Sequence, residues 1–118
     1  MPNLQPDLDS VFHALADPTR RAIVARLMQG PASVSELALP FSMAMPSLLQ
    51  HLRVLERSGL VRSEKTGRVR TCRIEPAPLG EAATWIAEQR ALWEGRLDRL
   101  EAYVNQLHAM EKNDGDGT

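Results

Sequence analysis

The C-terminal third of the chain constrains its fold more than any other segment. From Leu79 to about Met110 there is no proline and there are only two glycines, so we predict one continuous helix of ~45 Å at 1.5 Å per residue. Apolar side chains recur there in two interleaved rows of heptad spacing, at Ile86, Trp93, Leu100 and Leu107 and at Leu97 and Val104, with Arg90 as the exception in the second row. Such a seam is typical of a helix that packs on another helix. Because a chain of this size has little left to cover the seam, we expect it to pack on another chain.

Length and composition place the chain in the ordinary globular class. Its 118 residues are 43% hydrophobic and 25% charged, which suits one domain with a real core. No window offers the ~20 apolar residues of a membrane span, and the first residues carry no secretory signal, so we expect a cytoplasmic protein. The single cysteine, Cys72, excludes an internal disulfide and any multi-cysteine metal cluster within one chain. We expect one domain over residues 1–112 and a disordered tail over 113–118.

The net charge of −1 hides an uneven distribution of charge along the chain. Residues 41–75 carry seven basic and three acidic side chains, whereas residues 76–118 carry four basic and eight acidic ones. A basic block within an otherwise acidic protein indicates a surface that faces a polyanion. The alternative is a charged face that is simply solvated, and charge alone leaves both open.

Two short helices are predicted near the N-terminus. Leu8, Val11, Phe12 and Leu15 recur at helical spacing, which predicts a helix from Asp9 to Ala16. Asp17 followed by Pro18 is a strong start signal for the second helix, and the run from Gln29 to Pro31 ends it.

A third and a fourth helix follow, joined by a short connector. Ser33 or Ser35 can cap the third helix, which Pro40 ends early. The fourth helix runs from Ala44 or Met45 to Ser58, with Gly59 as its stop signal. Leu48, Leu52 and Leu55 fall on its inner face. The opposite side carries Ser47, Gln50, Val54 and Arg57, flanked by Pro46, His51 and Arg53.

Two strands come next, over residues 60–65 and 68–74, with a tight turn at Thr66-Gly67. The basic residues Lys65, Arg68 and Arg70 cluster at the tip of this hairpin. The predicted fold is therefore mainly α with a β-hairpin wing, a winged helix-turn-helix in the order α-α-α-α-β-β-α.

This arrangement predicts binding to double-stranded DNA. Small and polar residues on the fourth helix can approach base edges in a major groove: Gln50 can pair with adenine, and Ser47 can contact a base or a phosphate. Arg53 and Arg57 can reach phosphates, and the wing can contact the backbone or the minor groove. His51 can take part or can be an ordinary half-exposed histidine. The predicted DNA-binding residues are Met45, Pro46, Ser47, Gln50, His51, Arg53, Arg57, Lys65, Thr66, Arg68 and Arg70.

Catalytic motifs are absent from the sequence. His13, His51 and His108 do not have HExxH or HxxxH spacing, no glycine-rich loop can cradle a phosphate, and no serine lies in a nucleophile elbow. We therefore do not expect an enzyme.

Three stretches of the sequence resemble the ArsR/SmtB family of bacterial repressors. The run from Leu15 to Val24 resembles the signature LxDPTRxxIL, and Glu36-Leu37-Ala38, Pro46 and the run from His51 to Val61 match ELA…P…HLxxLxxxGLV. Gly67-Arg68 resembles the start of the second wing strand, and the similarity covers roughly residues 10–86. It implies a homodimer that binds a palindromic operator and pairs through its first and last helices. The interface residues expected are Leu8, Val11, Phe12, Ile86, Trp93, Leu97, Leu100, Val104 and Leu107.

The chain departs from the metal-sensing members of that family. Residues 34–39 contain no thiol, and the last helix holds only His108, with Glu101 and Glu111 as the nearest acids. We therefore predict no metal site and no cofactor, and we leave the effector open. The alternatives are a sensor of the same fold that responds to a metal or a small molecule, and a protein-interaction module that uses the long helix.

Three further residues have two interpretations each. Cys72 is expected to be a half-buried thiol on the wing, with a redox-sensing role as the alternative. Arg20 and Arg21 can meet DNA phosphates, or they can pair with Asp17 or with a carboxylate of the last helix.

Overall fold

The computed structural model describes residues 7–116, and it describes side chains for residues 7–112. Its elements are α1 (Leu8–Leu15), α2 (Pro18–Leu27), β1 (Ala32–Ser33), α3 (Val34–Ala38), α4 (Met45–Arg57), β2 (Val61–Thr66), β3 (Val69–Ile74) and α5 (Pro76–Asp116). The predicted class is confirmed, since the chain is mainly helical with an antiparallel hairpin. The predicted order lacked β1, because two residues are too short for a recognisable strand pattern.

The N-terminal ends of α2 and α3 are capped by residues that the sequence indicates, whereas α4 begins without a side-chain cap. The Asp17 side chain accepts a hydrogen bond from the Arg20 backbone N–H at 3.1 Å, and Pro18 is the first residue of α2. Of the two serines, Ser33 caps α3: its Oγ accepts from the backbone of Glu36 at 3.1 Å and donates to the Glu36 carboxylate at 3.3 Å. The spacing is that of a capping box, but the Glu36 carboxylate accepts from the Ser33 hydroxyl and not from the Ser33 backbone N–H. The Ser33 cap fixes where α3 begins.

The core lies between the helices and the inner face of the sheet. Leu48, Leu52 and Leu55 are buried, as the helical spacing predicted, and they orient α4. Each fully buried leucine stabilises the fold by roughly 1.5–3 kcal/mol. They pack with residues from α1, α2, α3 and the sheet, among them Val11, Ile23, Leu27, Leu37, Leu60 and Cys72.

The sheet has the order β1-β3-β2 and is antiparallel throughout. Thr66 pairs with Val69, so the hairpin turn is Gly67-Arg68 and the predicted turn at Thr66-Gly67 is wrong by one residue. Gly67 has a φ of +63° at the first central position, which is characteristic of a type II′ hairpin turn. Arg68 therefore lies in the turn, and Thr66 belongs to the strand.

Cys72 pairs with Ala32 of β1 and is fully buried, so the expected half-buried thiol is corrected. Strand alternation puts position 72 on the face that packs on the helices, and β1 covers it from the side. Burial raises the pKa of the Cys72 thiol. Position 70 lies on the same inner face of β3, so the Arg70 side chain also points toward the helices.

The long helix begins earlier and ends later than the sequence predicted. Pro76 and Pro78 lie in the first turn of α5, where proline is tolerated, and they do not separate it from the strand. The helix continues to Asp116, through four of the six residues predicted to be a disordered tail; residues 117 and 118 lie outside the described residues. The chain divides into two units, residues 1–83 and 84–118, and the described part of the second is a single helix. Of the helices that the structure describes, none has the length and apolar character needed to cross a bilayer.

Candidate nucleic-acid interface

One face of α4 is open to solvent. We define the α4 face by its six exposed members, Met45, Pro46, Ser47, Gln50, Arg53 and Arg57. The leucines on the opposite side of α4 anchor the helix in the core and turn this face outward. Within the described part of the chain, the side chains of Ser47, Gln50, Arg53 and Arg57 make no hydrogen bond or ion pair. Their polar groups are therefore available to a ligand.

The wing carries two unpaired cations at its tip. Lys65 is exposed at the end of β2, and Arg68 is exposed in the turn; neither is in an ion pair with a described residue. The remaining exposed arginines of the hairpin are partly neutralised, because Arg62 lies 3.9 Å from Glu75 and Arg73 lies 4.0 Å from Glu64. The positive charge of the wing is thus concentrated at its tip.

Arg70 does not join these cations, which corrects its predicted place. Its Nη2 donates to Oε1 of Glu56, and its Nε donates to Oγ of Ser63 at 3.0 Å. Ser63 in turn donates to the same Glu56 oxygen at 2.8 Å. Position 70 points inward with Cys72, so its guanidinium reaches Glu56 of α4, although 37% of the side chain stays exposed. Arg70 therefore connects the wing to α4, with its charge neutralised.

A cleft of about 630 Å³ separates the wing from α3 and the start of α4. Lys65 and Arg68 contribute to its wing side, and the hydroxyls of Ser33 and Ser35 to the opposite side. Leu49 also lines the cleft and is partly buried against the core. The cleft is thus a concave surface that lies between the cations of the wing tip and Met45 at the start of the α4 face.

His51 is half-buried, with 23% of its side chain exposed, and it belongs to a network. Nη1 of Arg20 lies 3.1 Å from Nδ1 of His51, and a carboxylate oxygen of Asp17 lies 3.8 Å from the same nitrogen. The backbone N–H of Arg20 lowers the pKa of Asp17 most; the charge that His51 carries when it is protonated and the charge of Arg20 lower it further, against the opposing effect of desolvation. His51 is therefore the half-exposed histidine that the sequence offered as one interpretation, and its contact with DNA stays a prediction.

Arg20 and Arg21 cap the C-terminal end of α1, which the sequence analysis missed. Arg20 donates to the carbonyls of Ala14 at 2.8 Å and His13 at 3.0 Å, and Arg21 donates to the carbonyl of Leu15 at 2.7 Å. The last carbonyls of a helix have no partner within it. The signal was present, since two arginines follow that helix end by only five or six residues.

Val54 is an apolar residue among polar ones near the C-terminal end of the outer side of α4, and its position opposite α1 explains it. It lines a pocket of about 360 Å³ together with Asp9, Ser10 and His13 of α1. Arg57 borders the same pocket and keeps its exposure. The C-terminal end of the outer side of α4 therefore faces α1, and the fully open part of the α4 face is its N-terminal half.

No group of three or more histidine, cysteine, aspartate or glutamate side chains suited to a metal ion occurs among the described residues. The sequence-based expectation of no metal site stays a prediction.

The second unit exposes a continuous row of apolar side chains. We call this the apolar stripe; its members are 41–57% exposed in the single chain and are Ile86, Trp93, Leu97, Leu100, Val104 and Leu107. In α1, Phe12 is 36% exposed and Leu8 is half-buried. Val11 is fully buried in the core of its own chain, because it faces α2 and α4, so its expected place in an interface is wrong.

Comparisons with known proteins agree on one kind of fold. Residues 15–64 match the family model described as a helix-turn-helix domain. The chain is 42% identical over 76 residues to the HTH-type transcriptional regulator Rv2034 of Mycobacterium tuberculosis, a match that covers 64% of this chain and 71% of that protein.

Solved structures extend the similarity. The crystal structure of an ArsR family transcriptional regulator is 57% identical, with a TM-score of 0.71 over 74% of this chain and 90% of that one. The solution structure of a homodimeric winged helix-turn-helix DNA-binding domain from Mycobacterium bovis, described as a possible ArsR-family regulator, is 25% identical. Its TM-score is 0.55 over 78% of this chain and 82% of that one.

Proposed function

The chain belongs to the ArsR family of winged helix-turn-helix transcriptional regulators, and on that premise we propose that it is a homodimeric repressor of a palindromic operator in double-stranded DNA. The observation that carries the proposal is the open α4 face beside the two unpaired cations of the wing tip. Polar side chains without partners in the chain are suited to groups that another molecule supplies.

The proposed contacts divide between bases and phosphates. Gln50 is the residue for base recognition, because an amide can pair with adenine through a donor and an acceptor at once, and Ser47 lies one turn before it. Arg53, Arg57, Lys65 and Arg68 are assigned to phosphates, which position the protein without reading sequence. The proposed DNA-binding set is Met45, Pro46, Ser47, Gln50, Arg53, Arg57, Lys65, Thr66 and Arg68, with His51 at the flank of the α4 face and without Arg70.

The apolar stripe supports pairing of two copies. Six large side chains in one row on a single helix are an exposed apolar surface of the kind that marks a protein interface. Leu8 and Phe12 of α1 are the proposed additional members. The similarity to a homodimeric winged helix-turn-helix domain points the same way. A two-fold dimer presents two α4 faces, which fits two half-sites about one helical turn apart.

Occupancy of an operator by such a dimer excludes other proteins from the same stretch of duplex, which is the physical basis of the proposed repression. The four cations of each copy that are assigned to phosphates, Arg53, Arg57, Lys65 and Arg68, give eight in the dimer. If all eight meet phosphates, the affinity falls about 10³–10⁵-fold between low and moderate salt.

Selection from a random duplex library tests the proposal directly. The purified chain is incubated with the library, bound duplexes are enriched, and the winner is compared with random duplex by fluorescence anisotropy at several salt concentrations. Sedimentation equilibrium of the same preparation gives the mass. We expect a palindromic consensus, a steep salt dependence and a dimer. A chain that enriches no sequence, or that stays a monomer while binding, contradicts the proposal.

A further inference from the structure

Two of the three guanidinium nitrogens of Arg20 donate hydrogen bonds to the C-terminal end of α1. Nε donates to the carbonyl of Ala14 at 2.8 Å, and Nη2 donates to the carbonyl of His13 at 3.0 Å. The Asp17 side chain holds the backbone N–H of the same arginine at 3.1 Å. Because the guanidinium is planar, two fixed nitrogens also fix the direction of the third.

That third nitrogen, Nη1, lies 3.1 Å from Nδ1 of His51 on α4. A guanidinium has donors and no acceptor, so Nδ1 must accept this hydrogen bond and cannot carry a proton. The ring proton of the neutral imidazole is then on Nε2. The Asp17 carboxylate, 3.8 Å from Nδ1, is beyond hydrogen-bond distance and does not compete for it. Arg20 therefore sets the tautomer of His51.

Nε2 of His51 is accessible to solvent. Nε2 makes no hydrogen bond to any described residue. Among the described residues, every buried side-chain nitrogen or oxygen has a hydrogen-bond partner. Because Nε2 has none, it is not a buried atom. His51 lies one helical turn after Ser47, at the flank of the α4 face. The network thus leaves one N–H donor available beside the residues proposed to read bases.

From this geometry we infer that Arg20 is a positioning residue for DNA binding, which holds His51 as a neutral donor from Nε2 to a phosphate oxygen of the duplex. The inference rests on the proposed function. A donor at the flank of a recognition helix reaches the backbone, whereas Ser47 and Gln50 are nearer its centre. Since the imidazole is uncharged, its contact adds affinity without displacing a counterion. Arg20 itself does not touch the DNA.

The tautomer is measured without DNA, by ¹⁵N NMR of the histidine rings at about pH 8, where an ordinary imidazole is neutral. The His51→Ala variant identifies the signals of His51. In the unaltered chain we expect a protonated Nε2 and an unprotonated Nδ1, and in Arg20→Met a mixture of both tautomers. A proton on Nδ1 in the unaltered chain, or an unchanged tautomer in Arg20→Met, overturns the assignment whether or not the chain binds DNA.

Binding to a random-sequence duplex at low salt tests the contact itself, because a phosphate is present in every sequence. We expect His51→Ala to weaken a dimer about tenfold, for one lost hydrogen bond in each copy. Arg20→Met should weaken it less, about fourfold, because an even mixture of tautomers keeps the donor in about half of the molecules. The double variant should be no weaker than His51→Ala, and the salt dependence should be unchanged in all three. If the inference holds, Arg20→Met does not add to the loss of affinity caused by His51→Ala. If the two losses of affinity are additive in the double variant, and Arg20→Met also makes the salt dependence shallower, the Arg20 guanidinium binds a phosphate directly and the inference is overturned.

Arg21→Met is the matched control. Arg21 caps the same helix end through Leu15 and has no contact with His51. We expect it to lower the melting temperature as Arg20→Met does, yet to leave the His51 tautomer unchanged. If Arg21→Met alters the tautomer equally, the effect belongs to the stability of α1, and the positioning role fails.

Discussion

Replacing Leu100 tests whether the apolar stripe of α5 joins two copies of the chain. Leu100 is 57% exposed in the single chain, and complete burial of a leucine is worth roughly 1.5–3 kcal/mol. Covering its exposed part therefore stabilises the dimer by about 1–1.5 kcal/mol in each copy, or about 2–3 kcal/mol for both. Truncation in Leu100→Ala should raise the dimer dissociation constant about 30- to 150-fold.

The Leu100→Glu variant should raise the dimer dissociation constant more than Leu100→Ala does, because it places two carboxylates without partners in an apolar interface. We expect it to be a monomer at micromolar concentration in sedimentation equilibrium and to lose its preference for the selected duplex. Ala102→Glu is the control: it adds the same charge about 160° around the helix from the centre of the stripe, and it should remain a dimer. If Leu100→Glu and Leu97→Glu both sediment as dimers, the heptad argument is wrong.

Four further outcomes are expected. Gln50→Ala should relax the preference at one base position by ~1–3 kcal/mol, seen as a flattened position in a repeated selection; an unchanged consensus would remove its base-reading role. Arg68→Ala should weaken binding to every duplex and reduce the salt slope by about 2 for the dimer, and a loss confined to one sequence contradicts a phosphate contact. Because the pKa of Asp17 is lowered in the folded chain, its stabilisation is complete above its ordinary value of 3.8 and is lost as pH falls through the folded value. Asp17→Asn should therefore flatten the acid limb of a melting-temperature profile, and an unchanged limb refutes this. Cys72 should resist a thiol reagent until the chain unfolds, whereas rapid native labelling would restore the redox interpretation.

Local signals in the sequence predicted all the elements except β1, and most of their ends to within about two residues. Asp17-Pro18 and Ser33 with Glu36 place helix starts through contacts between residues three apart, and the leucine spacing of α4 places its inner face. These contacts are formed within one helical turn, so the order of residue types is enough to read them. The α4 face follows from the same argument, because fixing the buried side of a helix also fixes its exposed side.

The hairpin shows where a local pattern is too weak. The segment from Lys65 to Arg70 shows no alternation of apolar and polar residues. The sequence therefore does not distinguish between two positions of the turn that differ by one residue. The actual register puts Gly67 where a positive φ is needed and Arg68 in the turn.

The amino-acid sequence by itself determined the helices, the wing, the outward side of α4 and the unpaired heptad seam, since each depends on residues that are neighbours along the chain. Tertiary structure alone decided which cations remain free. Arg70 is neutralised by Glu56 fourteen residues away, and Arg20 reaches His51 across thirty-one residues. Such partners come into contact only when the chain folds. The periodicity of the sequence shows on which face of its element a side chain lies, but not which other element packs against that face.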